Sequence, residues 1–254
     1  MKLGDDDKKL LTDYVYRGGN LYLSGGAILK YLGEEAGLTY LGETEERYTF
    51  TAPTAGYESI FTGFDAKYPL AIPFAQPIVT PSESVEVLAT ITLPYTNPTD
   101  PFHFASFHSN PPGIATANPS ITRNRYGKGT ILWSAAPLER IEWATQKDNI
   151  ARLMRTLLPK SPGFTAQTAA PVEILVYEKD GGRNIIVNLV NIQEATPVLP
   201  VHDIEICVRL DGRRVMRAMS VGSRSPVECK IEGGYAVLSV DKLQVFEMIE
   251  IECV

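Results

Sequence analysis

Residues Tyr14–Ala27 read YVYRGGNLYLSGGA. An amphipathic run stops at Gly18-Gly19, the short apolar stretch Leu21-Tyr22-Leu23 follows, and Ser24-Gly25-Gly26 opens a second helical pattern. The order is helix, tight turn, buried strand, tight turn, helix. A glycine at 18 or 19 takes the left-handed conformation that ends a helix without the steric cost of a Cβ. Three consecutive apolar residues in so short a segment match a strand covered on both faces, as in α/β sheets. Gly25-Gly26 then turns the backbone off the strand's C-terminal end, where open α/β sheets place ligands and catalytic groups. Ser24 stands at that point, so it is the first residue to weigh as a nucleophile.

On the N-terminal side, Asp5-Asp6-Asp7 offers an N-cap and negative charge to the positive end of a helix dipole. Leu10, Leu11, Tyr14 and Val15 form the apolar stripe of that helix, which runs to about Arg17. A doubly wound domain begins with a strand, whereas this chain begins with a helix. The expectation is therefore the later part of a longer α/β domain. On the C-terminal side, Ile28, Leu29 and Leu32 mark a helix over 27–36 stopped by Gly37. Arg47–Thr51 and Ser84–Leu93 read as strands. Residues 52–83 are rich in Pro, Gly and Ser and carry no long period. Tyr95–Pro119 reads as a long proline-rich loop, a length that in a compact domain marks function or an interface. Arg125-Tyr-Gly-Lys-Gly129 is a tight turn before a buried strand at Thr130–Ser134. Thr145 with Asp148 resembles a capping box, opening a helix that turns Ile150, Leu153, Met154 and Leu157 inward.

From Val172 the apolar period changes from 3.6 to 2. Val172–Glu178, Arg183–Val190, Ile204–Leu210, Arg213–Met219, Glu228–Ile231, Tyr235–Val240 and Phe246–Glu252 are strand candidates separated by Gly- and Asp-containing turns. That pattern predicts an antiparallel β-sandwich. Pro159–Pro171 reads as a linker, and the boundary falls near residue 165: an α/β domain over 1–164, partial and doubly wound, and an all-β domain over 165–254. The 254 residues fit one large domain or two ordinary ones. A net charge of −6 with scattered Lys and Arg argues against nucleic-acid binding. No apolar run approaches the ~18 residues that cross a bilayer. The start, MKLGDDDKK, is too acidic for a secretory signal. Cys207, Cys229 and Cys253 lack zinc-site spacing and read as free thiols of a cytoplasmic protein.

Ser24 lacks the full G-x-S-x-G pattern and needs a base, ordinarily a histidine backed by a carboxylate. Only His103, His108 and His202 exist, and none stands in a His-x-Glu pair. A structural turn is therefore the simpler role for Ser24. His103 and His108 have no third strong metal ligand beside them, so neither a metal nor a cofactor is expected, and a hydrogen-bonded loop is the simpler account. Phe102, His103, Phe104, Phe107, His108 and Asn110 together make that loop an interface candidate, because clustered aromatics of this kind are enriched at interfaces. Glu34-Glu35, Glu45-Glu46 and Glu139/Glu142 read as solvated faces, not as a catalytic acid pair. Arg125–Gly129 lacks the Lys-Ser/Thr of a phosphate loop and reads as a hairpin turn.

The segments Leu10–Gly26 (LLTDYVYRGGNLYLSGG), His108–Pro112 (HSNPP) and Tyr126–Trp133 (YGKGTILW) resemble the β-galactosidase trimerisation domain, an α/β fold of the glutamine-amidotransferase type. Residues 172–254, with Asn188-Leu-Val-Asn191 the most recognisable stretch, resemble the β-sandwich that closes such glycoside hydrolases. Active relatives of the amidotransferase type carry a cysteine at the elbow and a late His-x-Glu. With Ser24 and no His-x-Glu, the resemblance implies a degenerate, non-catalytic copy. It further implies an upstream catalytic barrel that acts on carbohydrate and self-association into a homo-oligomer. Two alternatives stand beside this assembly role. One is a stand-alone amidotransferase-like hydrolase using Ser24. The other is a carbohydrate-binding module built on Tyr177, Tyr235 and Phe246, although these read more simply as strand core.

Overall fold

The computed structural model describes residues 3–96, 102, 110–158, 161–194 and 197–254. The chain divides into two compact units, Met1–Leu158 and Pro159–Val254. Strand outweighs helix in both.

In the first unit the order is α1 (Asp5–Tyr16), β1 (Asn20–Ser24), α2 (Leu29–Ala36), β2 (Leu38–Glu43), β3 (Thr49–Pro53), β4 (Leu70–Ile72), β5 (Pro77–Pro81), β6 (Glu86–Pro94), β7 (Pro112–Tyr126), β8 (Gly129–Ser134) and α3 (Ala144–Leu157). The N-cap of α1 is Gly4. The three aspartates fill the first turn, where their charge meets the helix dipole and Asp7 Oδ2 accepts the Gly4 N–H at 3.0 Å. Gly37 closes α2 at φ +69°, in the left-handed region that a Cβ disfavours. The start of α3 differs from the capping-box expectation: its N-cap is Trp143, and no side chain caps it.

Six strands form one sheet in the order β1-β8-β7-β6-β3-β4, and β2 pairs with β5 apart from it. Only β1 and β8 run parallel, with Asn20 opposite Thr130 through to Ser24 opposite Ser134. The other ladders are antiparallel. A doubly wound sheet, as expected from the sequence, would be mostly parallel; here chain connectivity limits the parallel part to one pair. A two-residue turn at Gly127-Lys128 joins β7 to β8, and so short a link forces antiparallel neighbours. The expected loop of residues 95–119 is also shorter, because Pro112–Pro119 belong to β7. Pro112 is the first residue of that strand, and Pro119 sits where the register with β6 shifts, the two kinds of place where a strand tolerates proline.

Alternation along the strands assigns the two faces of this sheet. Leu23, Ile131 and Trp133 pack with Val15 of α1 and with Leu29 and Leu32 of α2. Tyr22 and Leu132 point the other way, into a cluster with Leu88, Ile121 and Leu153 of α3. A buried polar group, Gln76, ties the strands together: its amide donates to Thr49 Oγ1 and the Phe50 carbonyl and accepts from Ser120 Oγ.

The second unit contains β9 (Phe164–Gln167), β10 (Val172–Lys179), β11 (Asn184–Asn191), β12 (Val201–Arg209), β13 (Val215–Ser220), β14 (Glu228–Glu232), β15 (Tyr235–Leu243) and β16 (Phe246–Cys253). They form two four-stranded sheets, β10-β11-β16-β13 and β14-β15-β12-β9, whose described ladders are all antiparallel. Alternate residues from both sheets, among them Val187, Leu189, Ile206, Leu238 and Ile249, make one buried cluster. The strand β9 lies within the stretch read as linker, and it pairs Phe164 with Val208. None of the three cysteines is in a disulfide.

Candidate functional site

The C-terminal ends of β1 and β8 carry the constellation that sequence reading only half identified. Gly25 turns the chain off β1 at φ +78°, donates its N–H to the Ser134 carbonyl at 2.9 Å, and accepts Trp133 Nε1–H at 3.0 Å. This braced turn presents Ser24. Its hydroxyl donates to Glu139 Oε1 at 2.7 Å, and the Tyr22 phenol, two residues earlier on the same face, donates to Glu139 Oε2 at 2.9 Å. Glu139 sits in a single helical turn, Leu138–Arg140, anchored by the buried Leu138. One carboxylate thus spans two hydroxyls, leaving no oxygen of Glu139 without a donor.

Burial holds the Tyr22 phenol far above the ordinary tyrosine range, and the negative charge of Glu139 adds to it. Tyr22 therefore remains a proton donor. Among the described residues no imidazole reaches Ser24. The ring of His202 lies in the second unit, its Nδ1 3.1 Å from the Asp241 carbonyl. A carboxylate alone is a much weaker base than the His–Asp relay that activates serine. What this arrangement does in chemical terms is clamp a strand end to the turn beyond β8.

The structure spreads the other sequence candidates apart. Asn110 Oδ1 accepts the Thr96 N–H at 3.2 Å and the Pro111 carbonyl accepts the Tyr95 N–H at 2.7 Å, closing the base of the β6–β7 connection. Phe102 is 87% exposed. His103, Phe104, Phe107 and His108 lie outside the described residues. Among the carboxylates read as solvated faces, Glu139 is exposed but hydrogen-bonded, and Glu35 needs a correction. Glu35 is buried where α2 meets α1: its Oε1 is 3.4 Å from the donating Thr12 hydroxyl and 3.5 Å from Lys8 Nζ, while Oε2 has no partner among the described residues. Tyr177 and Phe246 also differ from expectation. Both are exposed, on the outer face of the β10–β11–β16 layer, because their register partners Ile186 and Val190 face away from the shared core. Tyr235 is half-buried and donates to the Pro162 carbonyl at 3.2 Å.

A cleft of about 390 Å³ in the second unit is lined by Glu178, Arg183, Asp211 and Arg213. The Arg213 guanidinium is committed to Glu178 Oε1 at 2.6 Å and to the Leu210 carbonyl at 2.6 Å, so it braces the cleft and is not left open for an anion. Among the described residues no three His, Cys, Asp or Glu side chains gather as metal ligands would. No helix among them is long and apolar enough to cross a membrane. The signal that could have found Glu139 is weak: an acid placed in a short turn after a buried strand says nothing about which serine it meets.

No protein-family model matches the chain, and no curated protein matches it in sequence. Its fold is similar to parts of solved glycoside hydrolases. Against α-L-fucosidase isoenzyme 2 from Paenibacillus thiaminolyticus the TM-score is 0.73 at 16% identity, covering 99% of this chain and 39% of the fucosidase. Against a catalytic mutant of Gan42B, a GH42 β-galactosidase from G. stearothermophilus, it is 0.54 at 13% identity, covering 98% and 30%. Against the β-galactosidase of Bacillus circulans sp. alkalophilus it is 0.51 at 12% identity, covering 98% and 31%. The chain therefore spans well under half the length of each of these neighbours.

Proposed function

We propose that this chain is a non-catalytic assembly or accessory region of the glycoside hydrolase kind, working beside a catalytic barrel that it does not itself contain. The observation that carries this is the match in length: essentially the whole chain follows a fucosidase fold at a TM-score of 0.73, yet covers only 39% of that enzyme. On this reading the first unit is a degenerate amidotransferase-like domain of the trimerisation type and the second is the closing β-sandwich. The protein works in the cytoplasm, self-associates through the first unit as a dimer or trimer, and meets carbohydrate only through its catalytic partner. The Ser24–Glu139 contact, with no imidazole reaching it among the described residues, is better suited to holding the strand end than to attacking a carbonyl.

The test is turnover. The purified protein should leave nitrophenyl galactosides and fucosides unhydrolysed. Hydrolysis that disappears on substituting a single Asp or Glu of this chain would overturn the proposal. Hydrolysis of nitrophenyl esters lost in Ser24→Ala would instead favour the stand-alone hydrolase.

A further inference from the structure

The two outer faces of the second unit are built differently. On the sheet β14-β15-β12-β9 the outward positions include Glu228, Lys230, Glu205 and Arg209. Their cations are paired, Lys230 with Glu228 at 3.0 Å and Arg209 with Asp211 at 2.7 Å. A polar outer face of this kind is how an antiparallel sheet meets water. The sheet β10-β11-β16-β13 departs from it. Its register places Leu175, Asn188 and Met248 side by side on the outer face, with Tyr177, Ile186 and Glu250 in the next row. Glu173, Val190 and Phe246 form the row on the other side. Leu175, Tyr177 and Phe246 are 51%, 47% and 54% exposed. Apolar side chains gathered on one outer face, and not scattered singly, mark an interaction surface.

The polar groups set among these side chains say what that surface meets. Glu250 is half-buried, with Ile186 on one side in its row and Met219 on the other. It has no hydrogen bond or ion pair among the described residues, and neither has Glu173 beside Val190. Asn188 Oδ1, in the middle of the face, is wholly buried and accepts from nothing among the described residues. The cations Lys179 and Arg217 lie one row beyond Tyr177, at the hairpin end, and Arg217 is held by Glu252 at 2.6 Å. The apolar part of the face therefore carries two unpaired carboxylates and an unused amide oxygen, and no cation. A carboxylate flanked by apolar groups is costly to leave unpaired once water is excluded.

We propose that this outer face of the sandwich docks a partner protein whose contact surface sets an arginine among apolar side chains. Asn188 and Glu250 are diagonal neighbours on adjacent strands, about 7–8 Å apart. One planar guanidinium spans that gap, giving separate N–H groups to the amide oxygen and to the carboxylate. Leu175, Tyr177, Met248 and Phe246 close around it, and aromatic residues, methionine and arginine are the types enriched at the buried centre of interfaces. A second copy of this chain fits the face poorly, because it would bring Glu173 and Glu250 against the same two carboxylates. The proposal concerns the second unit and does not rest on the glycoside hydrolase reading.

The probe is a blocked leucine–arginine–leucine tripeptide, titrated into the isotope-labelled full-length protein. It should shift the amide resonances of Tyr177, Asn188 and Glu250 with a millimolar dissociation constant, whereas leucine–glutamate–leucine should leave them in place. Glu250→Gln should raise that constant about threefold or more, the loss of one partly screened charge pair, with an unchanged circular dichroism spectrum. Equal responses to the two peptides overturn the proposal, since the face is then merely apolar. Galactose that shifts these amides where the arginine peptide does not overturns it in favour of a sugar site. No shift with any of the three overturns it too, because the face is then covered by its own chain or left to water. An oligomer of the native protein that dissociates in Phe246→Ser assigns the face to a second copy and overturns it as well.

Discussion

Tyr22 carries the clearest electrostatic consequence in the first unit. Burial first, and then the charge of Glu139, raise its phenol above the usual value of about 10. A group whose folded value is raised contributes stability that is complete below its unfolded value and is lost as pH climbs past it, because the unfolded chain then sheds a proton that the folded chain keeps. The melting temperature of the native protein should therefore fall between about pH 10 and 12, and fall less in Tyr22→Phe. Equal slopes for the two proteins would show that the phenol is not shielded as the structure has it. Glu139→Ala strands two hydroxyl donors. Because Glu139 is exposed, water replaces part of what is lost, so the cost should be near the low end of the range for such groups, about 1 kcal/mol in urea unfolding. Ser24 was visible in the sequence because glycines punctuate the turn after it. Its partner was not, since Glu139 lies 115 residues away.

Among the elements, α3 is tied down in part by a buried polar side chain. Asn149 accepts the Thr62 N–H at 3.0 Å and donates to the Thr62 carbonyl at 2.9 Å and the Thr145 carbonyl at 2.7 Å. It thereby pins the helix to the loop after β3. Asn149→Ala leaves those groups unpaired in a buried place and should cost about 2–3 kcal/mol, read as a lower urea midpoint with an unchanged slope. A loss below half a kilocalorie would mean that water enters the gap. The strands most legible in the sequence were those of the second unit, where apolar and polar residues alternate along much of β10, β12, β15 and β16. The strands β2, β4, β5, β7 and β9 were not read. Three-residue β4 is held by its ladder to β3 and has no pattern of its own, and β9 sits in a proline-flanked stretch that only pairing with β12 orders.

At the scale of the molecule, the division into two units falls between Leu158 and Pro159, and the strand at Phe164–Gln167 belongs to the second. Limited proteolysis should cut first between 158 and 164, leaving two protected fragments. First cuts within 172–254 would count against two independently packed units. Should the chain self-associate through its first unit as proposed, a fragment ending at Leu158 should retain the association of the full chain. Loss of association in a fragment that is still folded would move the interface to the second unit.

Local periodicity and turn chemistry settled the stop at Gly37, the hairpin at Gly127-Lys128 and the alternating rows of the two antiparallel sheets, whereas the stripe read for α1 holds only for Leu11 and Val15, since Leu10 and Tyr14 are exposed. Each of these depends on neighbours a few residues apart, so the order of amino acids encodes it directly. What covers a face, and what pairs with an edge, came only with folding. The parallel joining of Asn20 to Thr130, the burial of Glu35 between two helices and the outward display of Tyr177 and Phe246 all rest on groups far apart in the chain. Alternation along a strand reports two sides but not which of them meets the core. That choice belongs to the packing of whole sheets, where apolar area removed from water outweighs the preference of any single position.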